Sequence, residues 1–147
     1  TKIFSYLRIF SPSGYDCYSV YNKLSMLIQK FDDCPELIAG DGTHFRELLH
    51  PNYVSITLRY SLAHGILPVG KSSISHALKS SEVYYILSGT GEIYINEEVE
   101  PVEMGDTIYV PPSSIQYVKN CGTEPLVFLC IVDPYWRAED ETVDSSL

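Results

Sequence analysis

Apolar and polar residues alternate with period two through most of the chain beyond residue 54. That period belongs to strands, whose successive side chains point to opposite faces. The segments SITLRYSLAHGILP, EVYYILSG, EIYINEEVEPV, DTIYVPP, IQYVKN and PLVFLCIVDPYW are rich in β-branched and aromatic residues, with Gly, Pro or Asn between them. A strand and turn about every ten residues predicts an all-β sandwich or barrel. Upstream, LIQKF predicts a strand, DDCPEL a turn or short helix, AGDGT a turn, and HFRELLHP a second short strand ending at Pro51. The first 25 residues hold no sustained period and are broken by Pro12 and Gly14, so residues 1–25 are expected to form an N-terminal extension. Met26 is expected to open the core and residues 26–136 to form the barrel. The acidic tail, residues 137–147, is expected to fray.

The long segment SITLRYSLAHGILP assigns two faces. Leu58, Tyr60, Leu62, His64 and Ile66 share one, and Thr57, Arg59, Ser61, Ala63 and Gly65 share the other. The first set is the more apolar and is predicted to be buried, which turns His64 inward and Arg59 to the opposite side.

Composition narrows the class. Twelve Tyr against five Phe and one Trp favour strands. The net charge of −9 and a sequence pI near 4.7, with scattered basic residues, disfavour a phosphate backbone as partner, so no nucleic acid is expected. No stretch reaches the ~20 apolar residues that span a bilayer, and no membrane association is expected. Cys17, Cys34, Cys121 and Cys130 lack CxxC or zinc-finger spacing, which suits free thiols and a cytoplasmic setting.

The stretch from Gly70 to Asn120 carries the candidate chemistry. Gly70, five residues, His76, one residue, Leu78, three residues, Glu82, six residues and Gly89 form one spaced set. Gly105, Pro111, Ser113, Gln116 and Asn120 form a second. Both sets of intervals resemble the two motifs of the cupin superfamily. The resemblance implies a double-stranded β-helix, or jelly-roll, barrel. The phrases SSEVYYIL, GDTIYVPP and FLCIVDPYW further resemble small single-domain cupins described as mannose-6-phosphate-isomerase-like.

Metal-binding cupins use two His and a Glu from the first motif and a His from the second. Here the resemblance retains His76 and Glu82, while Leu78 and Gln116 stand at the other two positions. Leu cannot ligate, and Gln offers a weak neutral oxygen. With His64 turned inward, the set His76, Glu82, Gln116 and His64 is the candidate site for a divalent ion such as Zn, Mn, Fe or Ni. His76 and Glu82 are the candidate catalytic acid–base pair. Arg59, Tyr60, Tyr84 and Gln116 are candidate ligand contacts; an inward Gln amide is costly unless something pairs with it. The reading is a small-molecule-binding barrel with a degenerate, metal-capable site. A metal-dependent sugar-type isomerase or epimerase, or a dioxygenase, is the alternative. Cupins commonly dimerise, and a homodimer is expected.

Overall fold

The computed structural model describes residues 26–39 and 42–143. The N-terminal extension, residues 1–25, lies outside the described residues. Eleven strands run in chain order: β1 (Glu36–Ile38), β2 (His44–Leu49), β3 (Ser61–Leu67), β4 (His76–Leu78), β5 (Ser81–Ser88), β6 (Thr90–Ile95), β7 (Glu98–Glu103), β8 (Thr107–Val110), β9 (Ile115–Lys119), β10 (Leu126–Asp133) and β11 (Glu141–Val143). They form two antiparallel sheets, a six-stranded one ordered β1-β2-β3-β10-β5-β8 and a five-stranded one ordered β11-β4-β9-β6-β7. Consecutive strands β3 to β10 cross repeatedly between the sheets, which is the jelly-roll arrangement that the resemblance implies and one form of the sandwich or barrel expected from the alternating pattern.

The core lies between the sheets. Tyr84 and Ile86 of β5, Phe128 and Cys130 of β10, and Val110 of β8 face Ile93 of β6 and Val118 of β9. Phe128 organises this layer, with its ring edge-on to Tyr84 at 5.5 Å and to Phe45 at 6.3 Å. Gly65 makes room for it, because a Cβ there would collide with the Phe128 ring.

That contact inverts the face assignment of β3. Ser61, Gly65 and Leu67 are its buried positions, while Leu62, His64 and Ile66 are only half-buried on the outer face. The neighbouring strands fill the interior with rings, so β3 must turn its small residues inward. Three other local expectations also change. Regular strand begins at Ser61 instead of further upstream. Residues 26–30 have no regular structure, and Phe31–Asp33 form a 3₁₀ turn. The tail expected to fray stays in the sheet as far as Val143, with β11 paired to β4. Asp140, at the head of β11, is buried and takes the Arg137 Nε hydrogen bond at 2.6 Å, with Lys79 3.5 Å away.

The motif residues Gly105 and Asn120 are structural. Gly105 turns between β7 and β8 at φ +96°, a region that suits glycine. Asn120 is buried, and its amide donates to the carbonyls of Leu67 and Glu124 while its side-chain oxygen accepts the Gly122 N–H. It ties the β9–β10 connection to the end of β3.

Candidate functional site

Three residues of the motif stretch meet in one cluster. His76 opens β4, and antiparallel pairing places it opposite Gln116 of β9 in the five-stranded sheet. Glu82 enters from β5, in the other sheet, on the same inward face as Tyr84. Gln116 Nε2 donates to Glu82 Oε2 at 2.5 Å, joining the two sheets through one hydrogen bond. Gln116 is 1% exposed and Glu82 5%, so the pair is buried in the core layer. The Gln116 side-chain oxygen, Oε1, is buried with no partner.

His76 supplies the accessible edge. Its Nδ1 lies 2.9 Å from the Ile74 carbonyl oxygen, which can only accept, so Nδ1 carries the proton of the neutral ring. Nε2 is left with its lone pair, 4.0 Å from Glu82 Oε2. Its side chain is 16% exposed against 6% for Glu82, so a molecule entering from outside meets the imidazole first.

Burial raises the Glu82 pKa above its ordinary 4.5; His76, Gln116 and Cys130 pull it back, and Glu141 on β11 adds to the rise. Burial likewise pushes the Tyr84 hydroxyl and the Cys130 thiol well above their ordinary values, and Glu82 reinforces both. Both groups hydrogen-bond to Glu82 and stay protonated donors around it. Because the folded state holds the Glu82 proton more tightly than the unfolded chain, its contribution favours folding below 4.5 and declines as pH rises through the folded pKa. Glu82→Gln removes this proton. The difference in melting temperature, variant minus parent, is therefore expected to grow in the variant's favour from pH 4.5 upward, and scanning calorimetry across pH checks it.

Not all the sequence candidates join this cluster. His64 lies on the outer face of β3, edge-on to Phe31 with ring centroids 4.9 Å apart, beside its cross-strand neighbour Arg46. It is separated from His76 and Glu82 by the sheet itself, so the candidate fourth ligand is corrected. Arg59 is 81% exposed at its side chain and forms a two-pronged ion pair with Asp133, both bonds 2.8 Å. Tyr60, which precedes β3, is exposed. Tyr84 does lie in the cluster. His50 is buried and structural, with Nε2 3.0 Å from the Trp136 carbonyl and Nδ1 accepting the Asn52 N–H.

Two groups beside Glu82, Cys130 and Glu141, are not among the sequence candidates. Alternation in VFLCIVD puts Cys130 on the Phe128 face. The register that sets it opposite Tyr84, and beside Glu82, comes from strand pairing alone.

The donor set does not fit a transition metal. Among the described residues no group of three His, Cys, Asp or Glu converges. His76 Nε2 and Glu82 Oε2 are 4.0 Å apart, whereas two donors about 2.1 Å from one tetrahedral ion lie roughly 3.4 Å apart. The Glu82 oxygen nearest His76 is also the one that accepts the Gln116 amide.

A jelly-roll barrel with its polar cluster at one mouth defines the class, and the family comparison agrees. The model of the cupin domain matches residues 63–132, which include His76, Glu82 and Gln116. The chain belongs to the cupin superfamily. It is 37% identical over 121 residues to the uncharacterized protein MJ1618 of Methanocaldococcus jannaschii, covering 82% of this chain and 96% of that one. Among solved structures it resembles the plu4264 protein of Photorhabdus luminescens, with a TM-score of 0.65 and 26% identity over 79% of this chain and 92% of that one. It also resembles Pac13, a Streptomyces nucleoside dehydratase, with a TM-score of 0.64 and 20% identity over 82% and 92% of the two chains. At that identity the second likeness is one of fold.

Proposed function

We propose that this cupin binds a small polar molecule at the His76 mouth of the barrel, through its own side chains and without a resident metal. The observation that carries the reading is the Glu82–Gln116 pair: a carboxyl and an amide buried in the core layer, with one amide oxygen left unpartnered beside an accessible imidazole. A buried polar pair seldom stabilises a fold more than apolar packing would, so its presence here favours a role in binding. His76 Nε2 accepts a hydrogen bond from the ligand, and the Gln116 oxygen accepts a second. Hydroxylated molecules supply both donors.

A second reading, catalysis, has its own support. A lone-pair nitrogen faces a carboxyl whose pKa is raised by burial, across a gap of 4.0 Å. Loss of water from a hydroxylated substrate needs a base to take a proton from carbon and an acid to protonate the departing hydroxyl. His76 and Glu82 suit those two roles. A sugar-type isomerase, as in the subgroup that the sequence resembles, would use the same pair.

Thermal shift tests the proposal with uridine, mannose 6-phosphate, Mn²⁺, Ni²⁺ and Zn²⁺ as probes. Uridine or the sugar phosphate is expected to raise the melting temperature, with the gain lost in His76→Ala, while the ions give no gain that depends on His76. Stoichiometric metal in the purified protein that disappears in His76→Ala and Glu82→Ala would overturn the metal-free reading.

The homodimer belongs to the same proposal. Leu62, Ile131, Val83 and Tyr109 form one row across the outer face of the six-stranded sheet, and Tyr109 is 60% exposed. Sedimentation at twice the 16.6 kDa chain mass is expected; a single-chain mass at micromolar concentration would refute it.

A further inference from the structure

A recess lies on the open side of the sandwich, between β7, the edge of the five-stranded sheet, and β8, the edge of the six-stranded sheet. It is a groove of about 420 Å³ floored by Ile93, Ile95 and Ile108, with Glu98, Glu100 and Asp106 along it and no Lys, Arg or His in its lining. Glu98 and Glu100 are the cross-strand neighbours of Ile95 and Ile93, so both carboxylates lie on the core-facing side of β7. An edge strand of a sandwich ordinarily places apolar residues there. Neither carboxylate has a hydrogen bond or ion pair among the described residues.

We infer that this groove binds a small organic cation, an amine with a short apolar body. The isoleucine floor takes the hydrocarbon, and the ammonium group lies between Glu98 and Glu100. Two residues apart on one face of a strand, Glu98 and Glu100 have Cα atoms roughly 7 Å from each other, and their flexible side chains can converge on one ammonium group. Asp106 adds negative potential at one end while its carboxylate accepts the Glu103 N–H at 2.8 Å.

An added peptide strand fits this place less well than a small cation. Pro101 has no N–H to offer, and the Glu103 N–H is already taken, so β7 presents a poor donor row to a new strand. The groove shares a wall with the His76 site, since Ile95 pairs with Gln116 and Ile108 with Tyr84. The inference rests on different side chains and does not depend on the proposed function.

Edge protection is the competing role for inward carboxylates. Methyl-labelled NMR titration separates the two, with n-hexylamine, n-hexanol and sodium hexanoate as probes. Hexylamine is expected to shift the methyl signals of Ile93, Ile95 and Ile108, hexanol to bind more weakly, and hexanoate to leave them in place. In Glu98→Gln/Glu100→Gln the amine affinity is expected to fall about tenfold, the size of two partly screened ion pairs. His76→Ala is expected to keep the full response. No shift with hexylamine, equal affinities for amine and alcohol, or undiminished amine binding in the double variant would each overturn the assignment. Self-association of the double variant together with a silent parent would mark the carboxylates as guards of the edge.

Discussion

Phe128→Ala is expected to destabilise the barrel by about 3–5 kcal/mol, the cost of removing a large buried ring and leaving a cavity. Phe128 is 1% exposed, and its neighbours hold their positions because of it: Tyr84 and Phe45 lie edge-on to the ring, and Gly65 occupies the space beneath. Those neighbours sit on three different strands paired in one sheet, so the hole cannot close by a local shift. Urea denaturation measures the loss as a lowered midpoint with an unchanged slope. A cycle with Gly65→Val sharpens the test. Valine at 65 collides with the ring in the parent and meets a cavity in Phe128→Ala, so the double variant is expected to be more stable than the sum of the two losses predicts. Additive losses would refute the account of why β3 turns its small residues inward.

The second large effect is a change of sign between one substitution and two. Glu82→Ala leaves the Gln116 amide, 1% exposed, with neither of its ends paired, and is expected to cost about 1–3 kcal/mol for that group before any cavity cost is added. Glu82→Leu with Gln116→Leu removes both polar groups and lets two apolar side chains meet across the sheets. Set in a Tyr84→Phe background, which removes the buried hydroxyl that bonds Glu82, it is expected to match or exceed that background in stability, because a buried polar pair seldom outperforms a well-packed apolar one. The same double variant is expected to lose the thermal response to polar probes. Together these outcomes would mark the pair as kept for binding. If the double variant is as unstable as Glu82→Ala, the hydrogen bond is a structural tie between the sheets, and the proposed function fails with it.

Much of the site stretch was legible before any coordinates. Glycine at 70, 89 and 105 marks turns that need positive φ, and all three adopt it. Ser113 stands where the family motif has glycine, and it too has φ +64°. The spacing between those turns sets how far each strand runs, so His76, Glu82 and Gln116 emerge near the same mouth. His64 shows where the pattern misleads. Hydrophobicity alone ranked Leu62, His64 and Ile66 as the inner set, but the interior volume was already assigned to Phe128 and Tyr84 from strands far away in sequence. Competition for core space is a property of the assembled sheets, and no window on one strand contains it.

The cluster around Glu82 divides in the same way. Period two in EVYYIL determined that Glu82 and Tyr84 share a face, and the second motif placed Gln116 near the start of a strand. Only the packed sheets decided that Gln116 reaches Glu82 while His64 stands outside, that Cys130 and Glu141 crowd the same carboxyl, and that the metal set is incomplete. Alternation and turn chemistry act along the chain, over a few residues, and one sequence suffices to read them. Register between distant strands and the burial of one carboxyl depend on contacts across the barrel, where the whole fold decides which side chain receives the space.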